Sequence, residues 1–212
     1  MYNQTMIDKI IENLKNDNTP RTEFVKLMEE FKDPFLVLIS CILSLRTNDK
    51  TTYPATLRML KIGTKPEDFL NISEEELAQA IYPVGFYKNK ARQILDISKE
   101  LVEKYDSKVP ESIEEMTKFK GVGRKTANLV MAKGFGKPAI CVDVHVHRIC
   151  NRWGYVKTKE PDETEMALRK KLPIKHWLDF NTLLVTHGQN ICKPQKPNCA
   201  VCSINQYCKK LV

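Results

Sequence analysis

The sequence predicts an all-α fold, and three observations carry that expectation. Apolar residues recur at helical spacing, helix-capping signals open one segment after another, and alternating strand patterns bounded by Asn-Gly or Asp-Gly are absent. About ten short helices joined by short loops follow from this punctuation.

The elements read in order. Met6, Ile10, Ile11 and Leu14 form the stripe of a first helix. Thr19-Pro20 places an N-cap residue before a proline at a first helical position, and Phe24, Leu27, Met28 and Phe31 form the stripe that follows. Asp33-Pro34 repeats the signal and opens the longest apolar run, Phe35 to Leu45, which Ser40 and Ser44 interrupt. That run is well short of the roughly 20 residues of a membrane span. Ser73-x-x-Glu76 and Ser112-x-x-Glu115 read as capping boxes. The second opens a helix of about two turns that runs into Gly121-Val-Gly123, with another helix following at once.

Composition narrows the function classes. The 212 residues are 42% apolar and 28% charged with 8 Gly and 11 Pro, a globular balance that excludes collagen-like, mucin-like and wholly disordered chains. The 34 basic residues exceed the 26 acidic ones by 8, which favours a polyanionic partner, nucleic acid before anionic membrane. The opening Met1-Tyr2-Asn3-Gln4-Thr5 has neither a basic n-region nor an apolar h-region, so the expected location is cytoplasmic. No membrane association is expected.

Three segments carry more than packing. In Phe119-Lys120-Gly121-Val122-Gly123-Arg124-Lys125 the glycines permit a tight turn and let a ligand approach the backbone. The amides opening the next helix make a seat for a phosphate oxygen, with Lys118, Lys120 and Arg124 adding charge. A Gly-stopped pair of helices with no ligand is the plainer alternative. Lys125 in the first helical turn reads either as a solvated lysine or as a nucleophile, because the dipole and Arg124 disfavour its ammonium form. Asp143 follows the extended stretch Ala139–Val142 and reads as an N-cap, or as an acid/base partner for Lys125. His145 and His147, two apart, point to different faces and do not form a metal pair.

The third segment is Cys192-x6-Cys199-x2-Cys202-x5-Cys208. Four thiols this close imply a metal or cluster, and zinc and [4Fe-4S] both accept the set. Cys41, Cys141 and Cys150, scattered among Val, Ile and Leu, read as buried apolar thiols. Lys193 and Lys196 within the loop suit contact with a phosphate backbone.

Taken together, the Gly121–Lys125 hairpin, Val142-Asp143-Val-His145 and the cysteine spacing resemble the endonuclease III family of helix–hairpin–helix DNA glycosylases, over nearly the whole chain. The resemblance implies two helical lobes with a DNA cleft between them: a six-helix domain over 24–138 carrying the hairpin, and an iron–sulfur domain from 1–23 plus 139–212. By the same resemblance, Lys125 and Asp143 are the catalytic pair and Cys192, Cys199, Cys202 and Cys208 hold a [4Fe-4S] cluster. Arg46, Phe86, Gly121, Gly123, Arg124, Lys193 and Lys196 contact DNA. The implied activity is a monomeric, bifunctional DNA glycosylase/abasic-site lyase of base excision repair. Its partner would be double-stranded DNA containing oxidised or ring-saturated pyrimidines or abasic sites. A mismatch-directed thymine glycosylase and a non-catalytic cluster-containing DNA-binding module are the alternatives. Arg46 stands where well-known members carry the glutamine that fills the gap left by a flipped base. Phe86 replaces their leucine wedge, and Lys120 replaces the proline of their hairpin.

Overall fold

The structure is a computed structural model that describes residues 2–211, and these are helical throughout, with no strand among them. The chain divides into two compact units, Thr22–Lys137 and Met1–Arg21 with Pro138–Val212. Thr22 joins the first of these through a hydroxyl that donates to Asp49 Oδ2 at 2.6 Å.

The Thr22–Lys137 unit contains α2 (Glu23–Glu30), α3 (Pro34–Ser44), α4 (Asp49–Leu60), α5 (Glu74–Ile81), α6 (Tyr87–Lys104), α7 (Ile113–Met116) and α8 (Arg124–Leu129). Helix α3 forms its axis. Asp33 caps it by accepting from Phe35 N at 2.8 Å and Leu36 N at 3.0 Å, and Pro34 supplies a preset first turn. Because Val37 through Leu43 is apolar on nearly every side, the helix is buried all round, with α4, α6 and α8 packed on it. Ser73 and Glu76 form the expected capping box at α5, with Ser73 Oγ accepting from Glu76 N at 3.2 Å and Glu76 Oε2 from Ser73 N at 3.0 Å.

The Met1–Arg21 and Pro138–Val212 unit contains α1 (Gln4–Lys15), α9 (Val144–Trp153), α10 (Pro161–Lys171) and α11 (Trp177–Asn190). Trp153 is fully buried at its centre among Ile7, Ile10, Ile149 and Phe180. Tyr2 ties the two chain ends together: its hydroxyl lies 2.9 Å from Trp153 O and 2.7 Å from Tyr207 O, which share its one proton. Cys41, Cys141 and Cys150 are buried thiols, as expected. No helix among the described residues is long and apolar enough to cross a membrane.

Three local expectations need correction. Thr19 does not start a helix at Pro20; its hydroxyl donates to Asp17 Oδ1 at 2.6 Å, and Thr22 caps α2 three residues later by accepting from Val25 N at 3.2 Å. Ser112 caps α7, but the box is half made, because Glu115 turns to Lys118 Nζ at 2.5 Å and the Tyr105 hydroxyl at 3.3 Å. Helix α7 is a single turn of four residues rather than about two turns.

After α8 the chain widens into a π turn, Val130–Gly134, that packs on α3. At Gly134 an added Cβ would lie 2.6 Å from Pro34 Cα, a backbone atom that cannot swing away. Gly134→Ala is therefore expected to destabilise the protein by about 1–3 kcal/mol, read as a lowered urea midpoint at unchanged m-value. An unchanged midpoint would show that α3 and the π turn can separate without loss.

Candidate functional site

The hairpin begins where Phe119, buried against Tyr105, anchors the end of α7, and Val122 N donates to Phe119 O at 3.0 Å to close the turn. Gly121 sits at φ +80°, a left-handed conformation that other residues rarely take. Its Cβ position is also filled by Gln93 Nε2 at 2.7 Å, which donates to Lys120 O at 2.9 Å and fastens the turn to α6. Gly123 is different. It caps α8 with φ −97°, and a Cβ there would meet nothing within 4 Å. Neither backbone conformation nor packing within the protein demands glycine at that position, and the space beside it is open. Arg124 and Lys125 are half-buried in the first turn of α8, next to the buried Thr126, Ala127 and Asn128.

Asp143 is the N-cap of α9, as its position predicts. Both His145 N and Val146 N donate to its Oδ1 at 2.9 Å, which leaves Oδ2 acceptor capacity for another group. His145 and His147 take different partners: Arg148 Nη2 lies 3.1 Å from one ring and Thr164 Oγ1 2.7 Å from the other. They do not converge. Lys125 belongs to the Thr22–Lys137 unit and Asp143 to the other.

Arg46 and Phe86, which lie 40 positions apart in sequence, come together. The Arg46 guanidinium lies 5.8 Å from the centre of the Phe86 ring, within cation–π range. Arg46 is exposed and Phe86 is 60% exposed, so Phe86 is not a core aromatic. Both hold left-handed backbones, φ 53° and φ 58°, and neither is glycine. Such a conformation costs about 1–2 kcal/mol per residue, and it persists only where the surroundings impose it.

The four tail cysteines open onto one cavity of about 270 Å³, walled by Ile149, Trp153, Ile191, Pro197 and Ile204 and lined also by His187 and Asn205. Among the described residues, no three His, Cys, Asp or Glu side chains are grouped as a site for a single metal ion. Burial pushes the Cys202 thiol up to about 11 and raises that of Cys208, so a bound metal must drive off their protons. Two arginines of α9, one turn apart, hold the start of this loop. Arg148 Nη2 donates to Cys192 O at 2.8 Å, and Arg152 donates to Lys193 O at 2.7 Å and Pro194 O at 3.0 Å. Lys193 and Lys196 are exposed at the loop surface.

Sequence reasoning missed the supporting residues Gln93, Arg148 and Arg152, because a glutamine or arginine on a helix is commonly just solvated. It also missed Lys90, although Lys90 falls on the same helical stripe as Ile94, Ile97 and Leu101 and is only 5% exposed. A lysine within an apolar stripe was the available signal.

Comparison with known proteins agrees with this geometry. The sequence pattern described as HhH-GPD superfamily base excision DNA repair protein matches residues 39–174. The chain is 48% identical to endonuclease III of Thermotoga maritima over 177 residues, 84% of this chain and 83% of that one. It superposes with TM-score 0.85 on a trapped endonuclease III–DNA covalent intermediate, at 32% identity and covering 99% of this chain and 97% of that one. A thermostable thymine-DNA glycosylase superposes with TM-score 0.81 at 25% identity, covering 98% and 95%. A helical base excision repair enzyme is the class that this fold and these matches define. Within it, the chain belongs to the endonuclease III family, whose members are DNA glycosylases and abasic-site lyases.

The capping role of Asp143 separates from any role in chemistry. Asp143→Asn keeps an oxygen that can accept both amides, whereas Asp143→Ala removes it. Equilibrium denaturation should show a loss of about 1 kcal/mol for the alanine variant and a few tenths at most for asparagine. Equal losses would mean that the carboxylate charge, not the cap, supports α9.

Proposed function

We propose that the protein binds double-stranded DNA, removes an oxidised or ring-saturated pyrimidine, and cleaves the strand 3′ to the resulting abasic site, with Lys125 as nucleophile and Asp143 as acid/base partner. The observation that carries the reading is the helix start at Gly123: with no Cβ and nothing within 4 Å of where one would stand, it leaves the first amides of α8 open to a ligand two residues before Lys125. Backbone amides at such a start suit a DNA phosphate, with Gly121 shaping the turn and Arg124 adding charge.

The chemistry follows from the amine. The damaged base leaves the stack, at a smaller cost than for a well-stacked base. Lys125 Nζ, without its proton, attacks C1′ of the deoxyribose as the bond from C1′ to the base nitrogen breaks and the base departs with a proton. Asp143 moves protons during this exchange and its charge stabilises the cationic sugar. The sugar ring then opens: the C1′–O4′ bond breaks, O4′ takes up a proton as a hydroxyl, and the nitrogen lone pair forms a C1′–Nζ iminium that acidifies the C2′ proton. Loss of that proton expels the 3′ phosphate by β-elimination. A lysine at this point distinguishes the reading from a glycosylase that activates water, which would leave the backbone uncut. Arg46 and Phe86 are proposed to enter the duplex, Phe86 stacking between bases and Arg46 occupying the space the flipped nucleotide leaves. Acting on chromosomal DNA, the protein would work at the nucleoid.

Cys192, Cys199, Cys202 and Cys208 are proposed to hold a [4Fe-4S] cluster. The donor set fits: four thiols line one largely apolar cavity larger than one ion requires. When bound, the cluster would tie four points of a loop that otherwise has only short 3-10 turns, Cys199–Val201 and Asn205–Tyr207. It would thereby fix Lys193 and Lys196 for phosphate contact.

Borohydride should reduce the iminium and trap a covalent adduct on a duplex bearing thymine glycol or an abasic site. Lys125→Gln should abolish that adduct while DNA binding in a gel-shift assay persists. Adduct formation by the Lys125→Gln protein would move the nucleophile elsewhere. Independently, purified protein should be yellow-brown and contain iron and inorganic sulfide, with the colour lost in Cys199→Ala. A colourless, zinc-containing preparation would overturn the cluster assignment.

A further inference from the structure

Lys90 is the one buried lysine among the described residues. It sits in the first turn of α6, and its ammonium donates to Leu43 O at 2.8 Å, Leu45 O at 2.6 Å and Thr47 Oγ1 at 3.1 Å. An ammonium has three protons, and here three oxygens accept them. No carboxylate is among its partners; the other group facing it is the buried Cys41 thiol. Burial pulls the amine down to about 8. A lysine so perturbed is the usual profile of a nucleophile, but one that is 5% exposed with every proton committed is a fastener instead.

What it fastens is specific. Leu43 and Leu45 are at the C-terminal end of α3, where unsatisfied carbonyls and the negative end of the dipole both favour a cation. Arg46 follows directly in its left-handed conformation. On the other side, Lys90 N donates to Phe86 O at 3.0 Å, the first hydrogen bond of α6. Thr47 completes the link, because Gly85 N donates to its hydroxyl at 3.0 Å. The fit is close: a Cβ at Gly85 would lie 2.9 Å from Arg46 O.

We infer that Lys90 is a positioning residue: its buried ammonium joins the turn carrying Arg46 to the turn carrying Phe86, so that the two enter a duplex as one preformed wedge. The inference rests on the proposed role of Arg46 and Phe86 in opening the duplex. A wedge whose ordering is complete before binding loses less entropy on insertion. Two unusual backbones are held by contacts that a surface turn lacks.

Lys90→Met keeps the length of the stem and removes the three bonds. Single-turnover removal of thymine glycol from a duplex is expected to fall about tenfold. β-Elimination at an abasic site in single-stranded DNA, where no stack must be opened, should stay within about twofold. In an Arg46→Ala/Phe86→Ala background, Lys90→Met should add nothing. An equal fall on both substrates, or an undiminished effect in that background, would reduce Lys90 to general stability and overturn the inference. Full duplex activity of Lys90→Met beside an impaired Arg46→Ala/Phe86→Ala protein would overturn it while leaving the wedge reading intact. If Arg46→Ala/Phe86→Ala itself excises from duplex normally, the wedge reading fails and takes the inference with it. Should Lys90→Met not fold by circular dichroism, Lys90→Gln replaces the ammonium with a shorter neutral amide that has two N–H bonds for the three oxygens, and unimpaired duplex excision by that variant would overturn the inference.

Discussion

Incomplete hydrogen bonding at helix ends is the constraint on which the candidate site depends. A helix leaves amides at its start and carbonyls at its finish without internal partners. In this chain the residues proposed for function collect at those places. Gly123 caps α8 and Lys125 lies in its first turn; Asp143 caps α9 and Phe86 caps α6. Arg46 follows the end of α3, and Cys192 follows the end of α11. A fold of many short helices has many such ends. It can therefore offer several anion-friendly starts and cation-friendly finishes without a special scaffold for each. The two apolar cores hold these ends in place, and the ends carry the polarity.

Those ends also explain which parts were legible in the sequence. Asp33-Pro34, Ser73-x-x-Glu76 and Asp143 are local signals whose partners lie two or three residues away, and the structure forms each of them. Thr19-Pro20 carries the same signal and makes no helix; the Thr19 hydroxyl donates to Asp17, and Thr22 is the residue that caps α2. Two threonines three residues apart offer the same cap, and local pattern does not choose between them. The Gly121–Lys125 hairpin was legible as a turn, but the difference between its glycines was not. Gly121 is required by its backbone angle and by Gln93, Gly123 by nothing inside the protein. Only three-dimensional surroundings separate the two. The same holds for Arg46 and Phe86, whose contact depends on how the ends of two helices meet.

The cysteine tail shows another division of labour. Its spacing announces a shared ligand, yet its backbone has little regular structure of its own beyond two 3-10 turns. Order comes instead from α9, whose Arg148 and Arg152 donate to carbonyls at and after Cys192. The helix that Asp143 caps at one end thus grips the cysteine loop along its side. At its far end the tail returns to the same helix, with Lys209 N donating to Trp153 O at 3.1 Å and Leu211 N to Arg152 O at 2.8 Å. An element buried this thoroughly, with Val146, Ile149, Cys150 and Trp153 in the core, is a rigid post for both features. Loops positioned by rigid elements are where binding residues commonly reside.

Lysine appears in this protein in two opposed settings, and the contrast shows how one residue type divides its chemistry. Lys125 stands half-buried at a helix start, where the dipole works against a positive charge. Lys90 stands buried beside a helix finish, where the dipole favours it and three oxygens absorb its protons. A nucleophile needs a lone pair available to an incoming carbon, whereas a fastener needs its lone pair held as an N–H bond. Composition counts the two alike, and depression of basicity by burial alone would have pointed to Lys90. What separates them is the direction of the helix end each one meets and the depth at which each is buried, so geometry must be read before acidity in choosing the amine proposed to react.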